Sequence, residues 1–170
     1  MRETRPAPLR IGILTVSDAC SEGSREDASG ELLEDWCRTE DHEVVARATA
    51  PDETSAIVPI LLRWADGGAV DVILTTGGTG FGPRDVTPEA TQAVLDRLSG
   101  GLSEAIRRRG EKATAYASLS RGLAGSRGKV FLANFPGSPG GVRDGLEVLG
   151  PLLKHMVGLL TSSDTPHRQS

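Results

Sequence analysis

Residues 70–89 read VDVILTTGGTGFGPRDVTPE, and this stretch decides how the chain folds. Its apolar start predicts a buried strand over 70–74. Its end predicts a helix with Thr87 as the N-cap and Pro88 at the first helical position. The glycines in between leave bare amide groups at a helix N-terminus, which is where α/β proteins bind phosphate and other anions. The stretch therefore predicts an anion site in an α/β fold.

The same loop carries one acid and one arginine. Asp85 beside an anion site indicates a magnesium-bound phosphate, because Mg²⁺ prefers hard oxygen ligands. Asp85 also fits a turn acid that stabilises the nearby helix N-terminus. Arg84 fits a phosphate clamp, and equally an arginine on the surface. The glycines suit a plain turn as well, and the loop matches neither the Walker A nor the dinucleotide-binding motif.

Strands and helices alternate along the rest of the chain. The predicted strands span 9–16, 43–49, 70–74 and 129–135. The predicted helices begin at the N-caps Ser29, Asp52 and Thr87, span about 102–109, and close the chain from Val142 to Leu160 with a kink at Pro151. This order predicts a doubly wound, three-layer αβα domain with a mostly parallel central sheet. We expect a single domain over 9–160, with loose polar ends at 1–8 and 161–170.

The ligand site of such a sheet lies at the carboxyl ends of its strands. Three predicted strands end in glycine-rich or polar loops, at Ser17-Asp18, at 75–85 and at 136–141. We therefore expect these loops to converge on one walled pocket. Asp52 fits an N-cap as well as a catalyst, and Ser120-Arg121 fits an ordinary loop pair.

Bulk composition excludes several classes of protein. The chain has 19 Lys and Arg against 23 Asp and Glu, a net charge of −4, which argues against general nucleic-acid binding. Cys20 and Cys37 lack metal-ligand spacing and indicate reduced thiols. No signal peptide is evident and no apolar run approaches the length of a membrane span, so we expect a cytoplasmic protein without membrane contact.

Several motifs together resemble the signature of the molybdopterin adenylyltransferases. These are the Mog-type proteins of molybdenum cofactor biosynthesis, related to the G domain of gephyrin and its plant counterpart. The central match is Thr76-Gly77-Gly78-Thr79-Gly80 followed by Pro83 to Thr91. Further matches, in the same order and spacing, are Val16-Ser17-Asp18, Asp27-Ala28-Ser29-Gly30, Pro51-Asp52-Glu53, Leu119-Ser120-Arg121 and Asn134 to Pro139. The chain departs from the family pattern at Gly100, Phe135 and Ser138.

The resemblance implies Mg²⁺- and ATP-dependent adenylylation of molybdopterin with release of pyrophosphate. It assigns catalysis to Asp85 and Asp52, and the magnesium ion to Asp85. It assigns substrate or nucleotide binding to Ser17, Asp18, Thr76, Gly77, Gly78, Thr79, Gly80, Arg84, Ser120, Arg121, Pro136, Gly137, Ser138 and Pro139. It also implies a homotrimer, with transient contacts to molybdopterin synthase and to the protein that inserts molybdate.

Two other functions fit the same fold. One is a binding module, either a cofactor carrier or a scaffold of the gephyrin kind, that holds molybdopterin without turnover. Retention of both Asp52 and Asp85 argues against it, because a pure binder gains nothing from acids beside an anionic ligand. The other is a nucleotide-binding α/β protein that acts on a different phosphorylated metabolite.

Overall fold

A computed structural model describes residues 7–162 as one sheet covered by helices. The strands are β1 (Arg10–Val16), β2 (Glu43–Ala50), β3 (Val72–Thr76), β4 (Arg97–Leu98), β5 (Ala124–Arg127) and β6 (Val130–Phe135). The helices are α1 (Asp18–Ser21), α2 (Ala28–Thr39), α3 (Thr54–Asp66), α4 (Thr87–Val94), α5 (Gly100–Glu111) and α6 (Pro139–Thr161), with a 3₁₀ helix at Ala115–Leu119. The loose ends that the sequence predicts lie mostly outside the described residues.

The sheet has six strands in the order β2-β1-β3-β6-β5-β4. β2, β1, β3 and β6 run parallel to their neighbours, whereas β5 runs antiparallel to β6 and β4 antiparallel to β5. The predicted α/β fold with a mostly parallel sheet is therefore confirmed. Because the four parallel strands point the same way, their carboxyl ends share one edge of the sheet.

The core consists of two apolar clusters, one on each face of the sheet. Ile11 and Ile13 of β1 join one cluster, which includes residues of α2, α5 and α6. Leu14 and Val16 join the other, which includes residues of α3 and α4. A strand buried on both faces reads as a continuous apolar run, as β1 does. The packed sheet therefore supports the loops at its carboxyl edge.

Three predicted helix starts are wrong by one or two residues. Asp27, not Ser29, caps α2 by accepting the amide of Gly30 at 2.9 Å. Glu53, not Asp52, is the N-cap residue of α3. Val86, not Thr87, is the N-cap residue of α4. The predicted caps Ser29, Asp52 and Thr87 instead bond to groups in other loops, at Gly137, Asp18 and Gly77.

The antiparallel edge of the sheet is absent from the sequence prediction. β5 reads Ala-Gly-Ser-Arg and β4 has two residues, so neither carries the β-branched or alternating pattern typical of a strand. Their strand structure comes instead from pairing, because β5 pairs with β6 and β4 pairs with β5. Over residues 7–162, no helix combines the length and apolar character needed to cross a membrane.

Candidate functional site

The loops at the carboxyl edge are joined by main-chain hydrogen bonds and by one bond from a side chain. The amide of Ser17, after β1, donates to the carbonyl of Ala50 at 2.9 Å. The amide of Gly77, after β3, donates to the carbonyl of Phe135 at 3.2 Å. The hydroxyl of Thr76 donates to the carbonyl of Pro136 at 2.8 Å. Ser17, Gly77 and Gly137, one from each loop, also line a single cavity, which confirms the predicted convergence of the loops after β1, β3 and β6.

The glycine loop, residues 77–82, needs glycine for two physical reasons. Gly77 and Gly78 have φ angles of 94° and 65°, in the left-handed region. A Cβ on Gly77 would lie 2.2 Å from the carbonyl oxygen of Val16, and one on Gly78 would lie 2.4 Å from the hydroxyl oxygen of Thr87. The main chain of the loop therefore packs directly on the end of β1 and on the start of α4, with no side chain in between.

Two cavities open at this edge of the sheet. The Ser17 cavity has a volume of about 210 Å³, and its walls include Ser17, Arg25, Asp27, Ser29, Thr76 and Pro139. The Ser120 cavity has a volume of about 310 Å³, and its walls include Thr79, Gly80, Ile106, Tyr116, Ser120 and Ser138. The second cavity is the more apolar, since Ile106, Ala113, Ala117 and Leu119 line it as well.

A ridge of main chain lies between the two cavities. It consists of Gly77 and Gly137, which both line the Ser17 cavity, while the neighbouring Pro136 and Ser138 line the Ser120 cavity. A Cβ on Gly137 would lie 3.3 Å from the Cα of Gly77, so the two loops meet almost backbone to backbone. The two cavities are therefore lined by consecutive residues of one turn, with Gly77 packed against it.

Asp18 and Asp52 hold each other through reciprocal hydrogen bonds. The amide of Asp18 donates to Oδ2 of Asp52 at 2.9 Å, and the amide of Asp52 donates to Oδ1 of Asp18 at 3.0 Å. Arg84 donates to both carboxylate oxygens of Asp18, from Nε to Oδ2 at 3.0 Å and from Nη2 to Oδ1 at 2.9 Å. Its Nη2 also donates to Oε1 of Glu53. The Arg84 bond holds the pKa of Asp18 below its usual value. The loop after β3 is thereby tied to α1.

The carboxylate of Asp52 lies beside the glycine loop, 3.0 Å from the position of a Cβ on Gly78. Burial raises the pKa of Asp52, and the charges of Asp18 and Asp85 raise it further. Asp85 folds back on its own loop, where its Oδ2 accepts the amide of Gly82 at 2.8 Å. Both acids therefore lie against the main chain of the glycine loop.

Arg121 braces the glycine loop from the outside. Its Nε donates to the carbonyl of Gly80 at 2.8 Å, and its Nη2 donates to the carbonyl of Asp85 at 2.8 Å. Glu89 of α4 pairs with the same guanidinium, which also lies 5.4 Å from the ring centre of Phe81. Arg121 thus holds both ends of the segment that carries Arg84 and Asp85.

The residues predicted from the sequence fall into three groups. Those that line the Ser17 cavity are Ser17, Thr76, Gly77, Gly137 and Pro139. Those that line the Ser120 cavity are Thr79, Gly80, Ser120, Pro136 and Ser138. Those that line neither cavity are Asp18, Asp52, Gly78, Arg84, Asp85 and Arg121. Sequence reasoning missed Arg25 and Arg107, because no local pattern distinguishes either from a surface arginine.

The described part of the chain contains no preformed metal cage. Within residues 7–162, no three His, Cys, Asp or Glu side chains are arranged to hold a metal ion. Mg²⁺ commonly binds through one or two carboxylates, together with waters and substrate phosphates. Asp52 and Asp85 offer such a pair beside the glycine loop, since Oδ1 of Asp52 lies 3.0 Å from the position of a Cβ on Gly78 and Oδ2 of Asp85 lies 2.8 Å from that of a Cβ on Gly80.

Comparison with known proteins gives consistent matches. A family model described as a probable molybdopterin binding domain matches residues 12–155. The chain is 36% identical to a molybdopterin adenylyltransferase of Helicobacter pylori strain J99, covering 89% of this chain and 88% of that protein. It is 41% identical to the molybdenum cofactor synthesis protein cinnamon of Drosophila melanogaster, but spans only 26% of that protein's length. The solved structure of the molybdopterin biosynthesis enzyme MoaB from Thermus thermophilus superposes with a TM-score of 0.85 at 45% identity, covering 91% of this chain and 98% of that one.

Proposed function

Because the chain belongs to the molybdopterin-binding domain family, we propose that it transfers the adenylyl group of ATP to molybdopterin and releases pyrophosphate. The observation that carries this proposal is the pair of cavities that meet at the Gly77–Gly137 ridge. A reaction between two substrates needs two binding sites whose reacting groups come within contact distance. A ridge without side chains suits that requirement.

The transfer needs alignment and charge neutralisation rather than a protein nucleophile. A terminal phosphate oxygen of molybdopterin attacks the α-phosphorus of ATP. The new phosphorus–oxygen bond forms as the bond to pyrophosphate breaks, and pyrophosphate carries away the bonding electrons. The amides of Gly77 and Gly82 are already bonded to Phe135 and Asp85, so the donors for the phosphate oxygens would come from the other amides of the glycine loop and from the hydroxyls of Ser17 and Ser120.

Asp52 and Asp85 are the residues that would hold Mg²⁺. Both carboxylates lie against the glycine loop, and a bound cation would offset the cost of burying the charged form of Asp52, which is the main cause of its raised pKa. When bound with ATP, the ion would neutralise phosphate charge. Asp18 and Arg84 keep Asp52 in position, while Arg121 keeps the Asp85 segment in position.

The test is an assay of pyrophosphate release with molybdopterin, ATP and Mg²⁺, with the adenylylated pterin identified by mass spectrometry. The Helicobacter pylori relative serves as the active control. We expect release of one pyrophosphate per adenylylated pterin, and none when either substrate is omitted. Tight molybdopterin binding that ignores ATP and Mg²⁺, without release, would instead favour a binding module. Pyrophosphate release with another phosphorylated metabolite in place of molybdopterin would favour a nucleotide-binding α/β protein that acts on that metabolite.

The homotrimer and the cytoplasmic location belong to the same proposal. Light scattering coupled to size-exclusion chromatography measures the assembly directly. We expect a molar mass of three chains. A monomer would contradict the proposed trimer but would leave the proposed reaction untested.

A further inference from the structure

The arginines near the site differ in whether a carboxylate already neutralises them. Among the described residues, four arginines line one of the two cavities, contact the glycine loop or lie within two residues of its end. They are Arg25, Arg84, Arg107 and Arg121. Arg84 pairs with Asp18, Arg107 with Glu104, and Arg121 with Glu89. Over residues 7–162, no carboxylate lies within ion-pair distance of Arg25, so its charge is the uncompensated one.

Arg25 is nevertheless held at a fixed place in the wall of the Ser17 cavity. Its Nη2 donates to the hydroxyl oxygen of Ser17 at 2.9 Å, and Ser17 itself is buried at the end of β1. The same hydroxyl oxygen accepts the amide of Cys20 at 3.2 Å, which fixes its position. The guanidinium is thus presented at the cavity wall with most of its donors unused.

We propose that Arg25 binds a phosphate group in the Ser17 cavity. The proposal rests on the proposed function in so far as the phosphate belongs to ATP or to molybdopterin. The cavity volume of about 210 Å³ suits a phosphate and its adjoining atoms rather than a whole nucleotide. A guanidinium fork matches phosphate geometry, and the first turn of α2 lines the same cavity with its amide dipoles.

Two acids also line this cavity, and their charges bear on the proposal. Asp27 is already engaged, because its Oδ2 accepts from Thr15 and Arg47 while its Oδ1 accepts from Gly30. Glu26 lines the cavity without an ion pair among the described residues, so its charge opposes an anion there. Arg25 and Glu26 therefore act in opposite directions on any bound phosphate.

The experiment compares Arg25→Gln, Arg25→Lys and Glu26→Gln with the matched control Arg63→Gln. Arg63 is also exposed and unpaired among the described residues, and it lines neither cavity. Calorimetry with pyrophosphate, ATP and molybdopterin gives the affinities, and steady-state assays give KM and kcat for each substrate. Thermal unfolding checks that every variant is folded.

We expect Arg25→Gln to raise the Kd and KM of one substrate about tenfold or more, with kcat within about twofold, because a charge-assisted contact is lost in the bound state. Arg25→Lys should retain part of the affinity, and Glu26→Gln should tighten binding. The substrate whose KM rises identifies the source of the phosphate. Unchanged affinities for all three ligands in a folded Arg25→Gln protein would overturn the proposal. Arg25-dependent binding of pyrophosphate without any turnover in the wild type would overturn the proposed function alone.

Cys20 provides an independent readout, because it lines the same cavity. The other thiol, Cys37, is buried and its pKa is raised to about 12, so an alkylating reagent reports on Cys20. We expect pyrophosphate or the identified substrate to slow alkylation of Cys20 in the wild type and in Arg63→Gln, but not in Arg25→Gln. Equal protection in all three proteins would contradict a role for Arg25.

Discussion

Asp52 shows how the site uses burial and charge at a single carboxylate. Its desolvation, together with the charges of Asp18 and Asp85, raises its pKa above the usual value for aspartate. The folded protein therefore holds a proton at Asp52 more readily than the unfolded chain does. By linkage, this part of the stability is complete below the unfolded pKa and is lost as the pH rises through the folded pKa.

Asp52→Asn should therefore stabilise the protein at neutral pH while it abolishes most of the turnover. The gain should be less than about 1 kcal/mol, because the side chain remains partly solvated. The amide oxygen of asparagine can still accept the Asp18 amide, so the local hydrogen bond survives. Urea unfolding at about pH 7 and at about pH 4 measures the difference, which should shrink at the lower pH. A destabilised variant at neutral pH would contradict this account.

Asp85→Asn separates the metal role from the structural one. Asparagine can still accept the Gly82 amide that Asp85 accepts now, so the loop should keep its shape. Turnover should fall about 100-fold or more because a metal-linked charge is lost, while the affinity for molybdopterin changes little. Asp35→Asn, on the exposed surface of α2, is the control for loss of one negative charge. Pyrophosphate release and calorimetry are the two measurements.

The glycine loop depends on contacts at the scale of whole elements. Gly77→Ala would place a methyl group 2.2 Å from the Val16 carbonyl oxygen in a left-handed conformation, so β1 or the loop must move. We expect a loss of about 2 kcal/mol or more in the free energy of unfolding. Gly158 in α6 has open space at its Cβ, and Gly158→Ala should stabilise by about 0.5–1 kcal/mol. Thermal and urea unfolding of both variants test the contrast.

The Arg121 brace makes a second prediction about the loop. Arg121→Gln and Glu89→Gln should each lower kcat, because the carbonyls of Gly80 and Asp85 lose their common anchor. The two effects should not add in the double variant, since both remove the same ion pair. A double-mutant cycle on kcat and on unfolding measures the coupling. Strict additivity would show that Glu89 does not help to hold Arg121.

Apolar runs were sufficient to predict the central elements from the sequence. β1, β3 and β6 are buried on both faces, so their residues are apolar almost without interruption. The caps were not predictable, because Ser29 bonds to the carbonyl of Gly137, 108 positions away. β4 and β5 carry no local signal, because β5 depends on pairing with β6 and β4 depends on pairing with β5.

The site was predictable in outline but not in its ion pairs. Glycine and proline at strand ends marked the loops that form the ridge. Nothing in the spacing of the sequence indicates that Arg84 pairs with Asp18, 66 positions away, or that Arg25 lacks such a partner among the described residues. Whether a charged side chain forms an ion pair depends on which surfaces the folded chain brings into contact.

At the scale of the whole molecule, one sheet is shared by two apolar clusters. Trp36 of α2 packs on one cluster and Trp64 of α3 packs on the other. Because both clusters use the same strands, we expect one cooperative unfolding transition. Trp36→Phe and Trp64→Phe each leave a single tryptophan that reports on one face. Coincident fluorescence transitions, matching circular dichroism, are expected in both variants, and separate midpoints would show that the faces unfold independently.

The ridge of bare main chain between the cavities has an evolutionary consequence. Substitutions in the wall of one cavity replace no residue of the other wall, because the two walls have no residue in common. Selectivity for one co-substrate can therefore change while selectivity for the other is inherited unaltered. A scaffold with this partition can acquire a new acceptor or a new donor by local mutation alone.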